Sequence, residues 1–113
     1  MNDEILKCLF DIQECIQSID EHLQYERNFN TFLKNKTIRR AVERELEIIG
    51  EAMNRLLKIA PEISISYSRL IVDLRNKVIH AYDSVDYNII WKIICKDIPV
   101  LKTEIDSLLK STE

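Results

Sequence analysis

Apolar side chains recur at Ile5, Leu9, Ile12, Ile16, Ile19 and Leu23, in steps of 4, 3, 4, 3 and 4. That rhythm lays one stripe along a helix of about six turns over residues 3–25, with Cys8 and Cys15 beside it and Asn2 or Asp3 able to cap its start. Residues 26–36 break the pattern. Their asparagines mark a connection, within which Phe29, Phe32 and Leu33 can form one short packed turn. A second stripe (Ile38, Val42, Leu46, Ile49, Met53, Leu56 and Ala60, broadened by Ile48, Ala52 and Leu57) predicts a helix over 37–60, capped by Thr37 and ended by Pro61. Gly50 inside it costs about 1 kcal/mol relative to alanine, which points to the close approach of another helix.

Residues 61–66 alternate but are too few for more than a loop. Leu70, Ile71, Leu74 and Val78 predict a third helix over 67–80. Residues 83–86 form a turn, with Ser84 or Asp86 as the next cap. Ile90, Ile93 or Ile94, Ile98, Leu101, Ile105 and Leu108 predict a fourth helix over 87–109. Pro99 should kink this helix rather than end it, because the periodicity resumes at once. Tyr87 and Trp91 suit a core or an interface. The expected fold is all-α, an up-and-down bundle of four main helices in one domain, 1–113.

Composition agrees with that reading. One glycine and two prolines in 113 residues are too few to punctuate a many-stranded β fold. Three cysteines (Cys8, Cys15 and Cys95) form no C-x-x-C and have no histidine at ligand spacing, so they read as reduced, packed thiols rather than a zinc site. No apolar run reaches the roughly 18–20 residues of a membrane span, and the first residues lack the basic start of a signal peptide, so a cytoplasmic protein is expected. A net charge of −3 argues against coating nucleic acid through bulk charge. It leaves room for a local site: residues 34–44 carry Lys34, Lys36, Arg39, Arg40 and Arg44 against Glu43 alone. A solvated helix face, an RNA-backbone track and a dock for an acidic partner all fit that cluster.

The densest chemistry lies in Arg75-Asn76-Lys77-Val78-Ile79-His80-Ala81-Tyr82, which holds one of the two histidines. A guanidinium, an imidazole and a phenol are tools for handling a phosphate ester. Five residues of helix turn Arg75 and His80 about 140° apart. They converge on one phosphate if His80 lies at a frayed helix end, or if a two-fold dimer brings two copies together. Such a set suits metal-independent RNA cleavage, with imidazole as acid or base and guanidinium on the developing charge. No carboxylate cluster suggests a two-metal alternative, and no cofactor is implied. Asn76 can hold the phosphate or orient His80. Lys77 can add charge or be solvated. Tyr82 can stack a base, donate a hydrogen bond or accept a modification. On the second helix Glu43, Glu47 and Glu51 suit intra-helix ion pairs, or Glu47 or Glu51 can position the arginine of the octapeptide.

Over nearly its full length the chain resembles the HepT-like branch of the HEPN superfamily. Arg44-Glu45-Leu46-Glu47-Ile48-Ile49-Gly50-Glu51-Ala52 is close to that family's R-N-L-E-I-I-G-E-A. Residues Arg75 to Tyr82 match its R-x4-H-x-Y. Val85-Asp86-Tyr87-Asn88-Ile89-Ile90-Trp91 and Asp97-Ile98-Pro99-Val100-Leu101 follow its V-D-x-x-x-[IV]-W and D-L-P-x-L. The resemblance implies an all-α HEPN-like bundle that forms a homodimer through the helix carrying the motif. It implies a ribonuclease toxin of a type II toxin-antitoxin system, with Arg75 and His80 catalytic and Asn76 in support. The implied partner is a minimal nucleotidyltransferase antitoxin of the MntA type, which in some family members transfers AMP to the tyrosine, here Tyr82. Lys77, Arg39, Arg40 and Arg44 are the expected contacts to RNA or to a partner. Glu45 stands where the family usually has Asn, Asp73-Leu74 where Gly-Met is frequent and Ala81 where Gly is common. The rival reading, favoured by the net acidity and by Asp73, is a non-enzymatic binding partner of a nucleotidyltransferase.

Overall fold

The computed structural model describes residues 2–66 and 86–111. Helix α1 spans Asp3–His22. Asn2 caps it by accepting a hydrogen bond from the Ile5 N–H at 2.9 Å, and Asp3 and Glu4 in the first turn complement the helix dipole. The helix stops short of residue 25. Gln24 and Tyr25 adopt left-handed backbone, φ 57° and 60°, and the Tyr25 N–H turns back to the Asp20 carbonyl. The Arg27–Asp20 ion pair closes this turn, and the Tyr25 hydroxyl accepts from Gln17. Side-chain anchors therefore hold two non-glycine residues in a conformation that the hydrophobic pattern does not register.

The short turn expected around Phe29 is helix α2, Phe29–Lys34, capped by Asn28. Helix α3 spans Lys36–Ile59, and its cap is Asn35 rather than Thr37: the Asn35 carboxamide oxygen accepts from the Ile38 N–H at 3.0 Å. Asparagine outranks threonine at this position, and Asn35 also closes α2, so one residue serves both helices. Ala60 closes α3 immediately before Pro61, as expected.

The last helical stretch runs without a break through Pro99. It comprises α4 (Tyr87–Lys92), a π-helical segment (Ile93–Asp97) and α5 (Ile98–Lys110), with Asp86 as its cap. Pro99 sits in the first turn of α5. The π segment contains Cys95, whose carbonyl a proline ring four residues on would strike in a regular α-helix. The wider turn also places both Ile93 and Ile94 in the core, where a strict 3.6 period offers one or the other.

Helices α1 and α3 pack antiparallel. Cys8 lies across from Ala52 and Arg55, Cys15 from Glu45 and Ile48, and His22 pairs with Glu45. Helix α5 joins α1 through Gln13, whose amide donates to Asp106 at 3.0 Å. That bond and the Lys102 ammonium hold the Asp106 carboxyl below its ordinary range. The core holds Leu9, Ile12, Ile19, Phe32, Leu46, Ile49, Met53, Leu56, Ile94, Leu101 and Ile105, all essentially out of water. Phe32 packs against Trp91 and Tyr87, with ring centroids at 5.1 and 6.2 Å, and Phe29 against Trp91 at 5.7 Å. Gly50 is buried within α3. The predicted helix 67–80, the motif it carries and residues 83–85 lie outside the described residues. Among the described residues every regular element is helical, and no helix is long and apolar enough to cross a membrane.

Candidate functional site

Five of the ten predicted site residues are described, and all five lie on α3: Arg39, Arg40, Arg44, Glu47 and Glu51. Arg75, Asn76, Lys77, His80 and Tyr82 lie outside the described residues. Helical spacing puts Arg40, Arg44, Glu47 and Glu51 on one face, about a quarter turn from the face that meets α1. Lys36 extends this face toward the start of the helix. Its N-terminal half is thus basic and its C-terminal half acidic. The two halves meet at an ion pair, Arg44 Nη1 to Glu47 Oε2 at 3.1 Å, with Arg44 63% exposed and Glu47 22%. An exposed pair of this kind contributes about 0–1 kcal/mol. Glu51 is exposed beside Arg55 on a shallow crevice shared with Cys8 and Asp11.

Arg39 differs from its neighbours. Its guanidinium donates to the Leu33 carbonyl and lies 5.2 Å from the centre of the Tyr87 ring. A cation over an aromatic face is worth about 0.5–1 kcal/mol at such a site. Arg39 therefore clasps α2 and α4 to the start of α3, whereas Arg40 projects into solvent.

The structure also assembles a cluster that the sequence reading missed. Glu45 is only 14% exposed, and its carboxylate faces His22 Nε2 at 3.0 Å. The Cys15 thiol lies beside Glu45, on one shared crevice. Cys15 and His22 are seven residues apart, so they share a face of α1 within about 20°. That much was legible. Their meeting with Glu45 depends on the register between α1 and α3, which no local pattern encodes. The Glu45 carboxylate thus ties the end of α1 to α3.

Burial first, and then the charge and hydrogen bond of Glu45, push the Cys15 thiol up to about 12 from an ordinary 9.0. Burial also raises Cys8. The linked stability has a definite sign. The folded chain keeps the Cys15 proton to higher pH than the unfolded chain, so this contribution is fully present below pH 9.0 and is lost as pH rises through about 12. Urea midpoints should therefore fall across this alkaline window, and less steeply in Cys15→Ala than in the unaltered chain. Equal alkaline slopes for the two proteins would refute the assignment.

A groove of about 640 Å³ between α1 and α5 is lined by residues including Phe10, Gln13, Gln17, Lys102 and Asp106. Its lining includes none of the five described site residues. Among the described residues no three His, Cys, Asp or Glu side chains gather to hold a metal ion.

The family model described as "Ribonuclease HepT-like" matches residues 12–108. The chain belongs to the HepT-like ribonuclease family. That membership includes the motif segment, and the all-α architecture fits a HEPN-like bundle. The chain is 42% identical over 106 residues to "Probable ribonuclease HepT" of Thermococcus cleftensis, covering 90% of this chain and 93% of that protein. It is 38% identical over 102 residues to "Putative RNase MJ1380" of Methanocaldococcus jannaschii, covering 87% and 90%. It is 39% identical over 87 residues to "Putative RNase TTE0752" of Caldanaerobacter subterraneus subsp. tengcongensis, covering 74% and 75%. No solved structure gives a significant match.

Proposed function

We propose that this member of the HepT-like family is a metal-independent endoribonuclease and the toxin of a type II toxin-antitoxin pair. The observation that carries the reading is an intact Arg75-x4-His80-x-Tyr82 in a chain of that family. In a homodimer two copies of the motif line one cleft. One imidazole takes the proton of the ribose 2′-hydroxyl as that oxygen attacks phosphorus. A protonated group, the second imidazole in a symmetric pair, gives a proton to the departing 5′ oxygen. Arg75 stabilises the added negative charge, and Asn76 holds the phosphate or orients His80. The products are a 2′,3′-cyclic phosphate and a 5′-hydroxyl. Glu47 or Glu51 positions Arg75, and Lys77 adds positive charge near the phosphate.

Control passes through Tyr82, two residues from His80. A minimal nucleotidyltransferase of the MntA type transfers AMP from ATP to its phenol, breaking the α–β phosphoanhydride bond and releasing pyrophosphate and the phenol proton, and so places bulk and negative charge where an RNA phosphate must enter. The protein works in the cytoplasm.

The test is cleavage of RNA by the purified chain in excess chelator, after intact mass has shown Tyr82 unmodified. We expect cyclic-phosphate ends without added metal, and a Tyr82→Phe variant that cleaves equally but escapes silencing by the nucleotidyltransferase. Cleavage only after adding a divalent ion would overturn the mechanism. A folded, unmodified chain that cuts no RNA would overturn the enzyme and favour a non-enzymatic partner of the nucleotidyltransferase.

A further inference from the structure

We propose that the exposed row Lys36, Arg40 and Arg44 on α3 is a track for the RNA backbone, made of residues other than those that cleave. The inference rests on the ribonuclease reading for the identity of the ligand, and it deepens that reading by naming a substrate-binding surface.

The three side chains stand at i, i+4 and i+8, which places three cations along one helix face over about 12 Å. All three are exposed. Among the described residues no carboxylate pairs with Lys34, Lys36 or Arg40, and Arg44 has only its exposed contact with Glu47, which a phosphate can replace at little cost. The cations are concentrated where the fold least favours them. Helix α1 opens on Asp3 and Glu4, whereas α3 has no acidic residue in its first turn and carries Lys36 and Arg40 near its positive end. An external polyanion relieves that repulsion.

The row is also local. Five of the chain's 16 lysines and arginines fall in residues 34–44, although the chain is net acidic. Arg39 is not part of the track, because its guanidinium is engaged with Leu33 and Tyr87. The row continues into the face of α3 that holds Glu47 and Glu51, so a strand lying on it is bounded at one end by carboxylates.

An acidic protein is the competing occupant. Protein interfaces draw their affinity from buried aromatic and aliphatic anchors. The exposed large apolar side chains described here are Phe10, Tyr25, Leu33, Ile89 and Val100, and none lies on α3. Phosphate contacts need no such anchor. The surface therefore fits a nucleic-acid backbone better than a protein.

The test compares the unaltered row with Lys36→Gln/Arg40→Gln/Arg44→Gln. Binding of a labelled single-stranded RNA is read by fluorescence anisotropy across a salt series, with His80→Ala in both chains to prevent cutting. The loss of three phosphate contacts should make the slope of log Kd against log salt shallower by about 2, at roughly 0.7 per contact on a single strand. Affinity at low salt should fall at least tenfold, and Lys36→Arg/Arg40→Lys/Arg44→Lys should restore the slope. With His80 intact, the Gln variant should raise KM for RNA and leave kcat at saturation nearly unchanged. If the unaltered chain cleaves RNA while affinity and slope match in the Gln variant, the track is refuted and the ribonuclease reading stands. If the unaltered chain neither cleaves nor binds RNA, both fall. If the Gln variant loses binding to poly-glutamate but not to RNA, the row is a dock for an acidic protein and the proposal is overturned.

Discussion

Replacing His80 with alanine is expected to lower RNA cleavage by at least about 10²-fold, since a positioned general acid or base contributes roughly 10²–10⁴. The folded state should survive, with the same mass in sedimentation and the same helical circular dichroism. Arg75→Lys keeps the charge but loses the planar fork that grips two phosphate oxygens, so it should also be impaired. The two residues diverge by about 140° on a regular helix. That divergence makes a sharper experiment available. If the Arg75 and His80 that grip one phosphate come from different protomers, mixing inactive Arg75→Ala and His80→Ala chains rebuilds one such pair per heterodimer, and activity returns in part, short of the second imidazole. If His80 instead bends back to its own Arg75 at a frayed helix end, each heterodimer has no complete pair and mixing restores nothing. Cleavage by His80→Ala at the rate of the unaltered chain would remove the histidine from the mechanism altogether.

The sequence made the helices legible and their ends less so, for a physical reason. Burial of a stripe is a sum over many residues, so Ile5 to Leu23 and Ile38 to Ala60 announce their helices even where single positions deviate. An end is decided by one or two hydrogen bonds. Asn35 displaces Thr37 as cap because it closes α2 and opens α3 at once, a double use visible only when the two helices are seen to abut. The left-handed pair Gln24 and Tyr25 is held by Arg27, Asp20 and Gln17, none of which carries a turn signature. At Pro99 an irregularity was expected, and a π segment immediately precedes it. The candidate site divides in the same way. The motif residues were read from their chemistry and from family resemblance. The different duties of Arg39 and Arg40, adjacent in sequence, became visible only once Tyr87 was in place. The clasp of Cys15, Glu45 and His22 needed the α1–α3 register.

Phe32→Ala should cost about 3–5 kcal/mol of folding stability, the usual range for deleting a fully buried aromatic. Phe32 is 0% exposed. Its ring fills the angle between α2 and α4 against Trp91 and Tyr87, and each aromatic pair adds about 0.5–1.5 kcal/mol beyond the area buried. Helix α2 has only six residues, too short to hold itself by backbone hydrogen bonds, so its docking rests mainly on Phe32, the one fully buried side chain it carries, with Phe29 against Trp91 and the Arg39 contact to Leu33 in support. The consequences reach further than the cavity. Asn35 at the end of α2 caps α3, and the Leu33 carbonyl and Tyr87 ring together hold Arg39. Loosening α2 therefore frays the start of α3, where Lys36 and Arg40 stand. A drop in melting temperature of more than about 10 °C is expected, at roughly 4–8 °C per kcal/mol for a chain near this size. Phe32→Leu should retain much of the stability, whereas Phe29→Ala, at a half-buried position, should cost less than Phe32→Ala. Amide exchange distinguishes local from global loss: the Ile38 and Arg39 N–H groups, the first held by the Asn35 cap, should lose protection in Phe32→Ala before the middle of α3 does. A change in stability below about 1 kcal/mol would mean that α2 is held by something other than this ring. The start of α3 would then have to be explained by its caps alone.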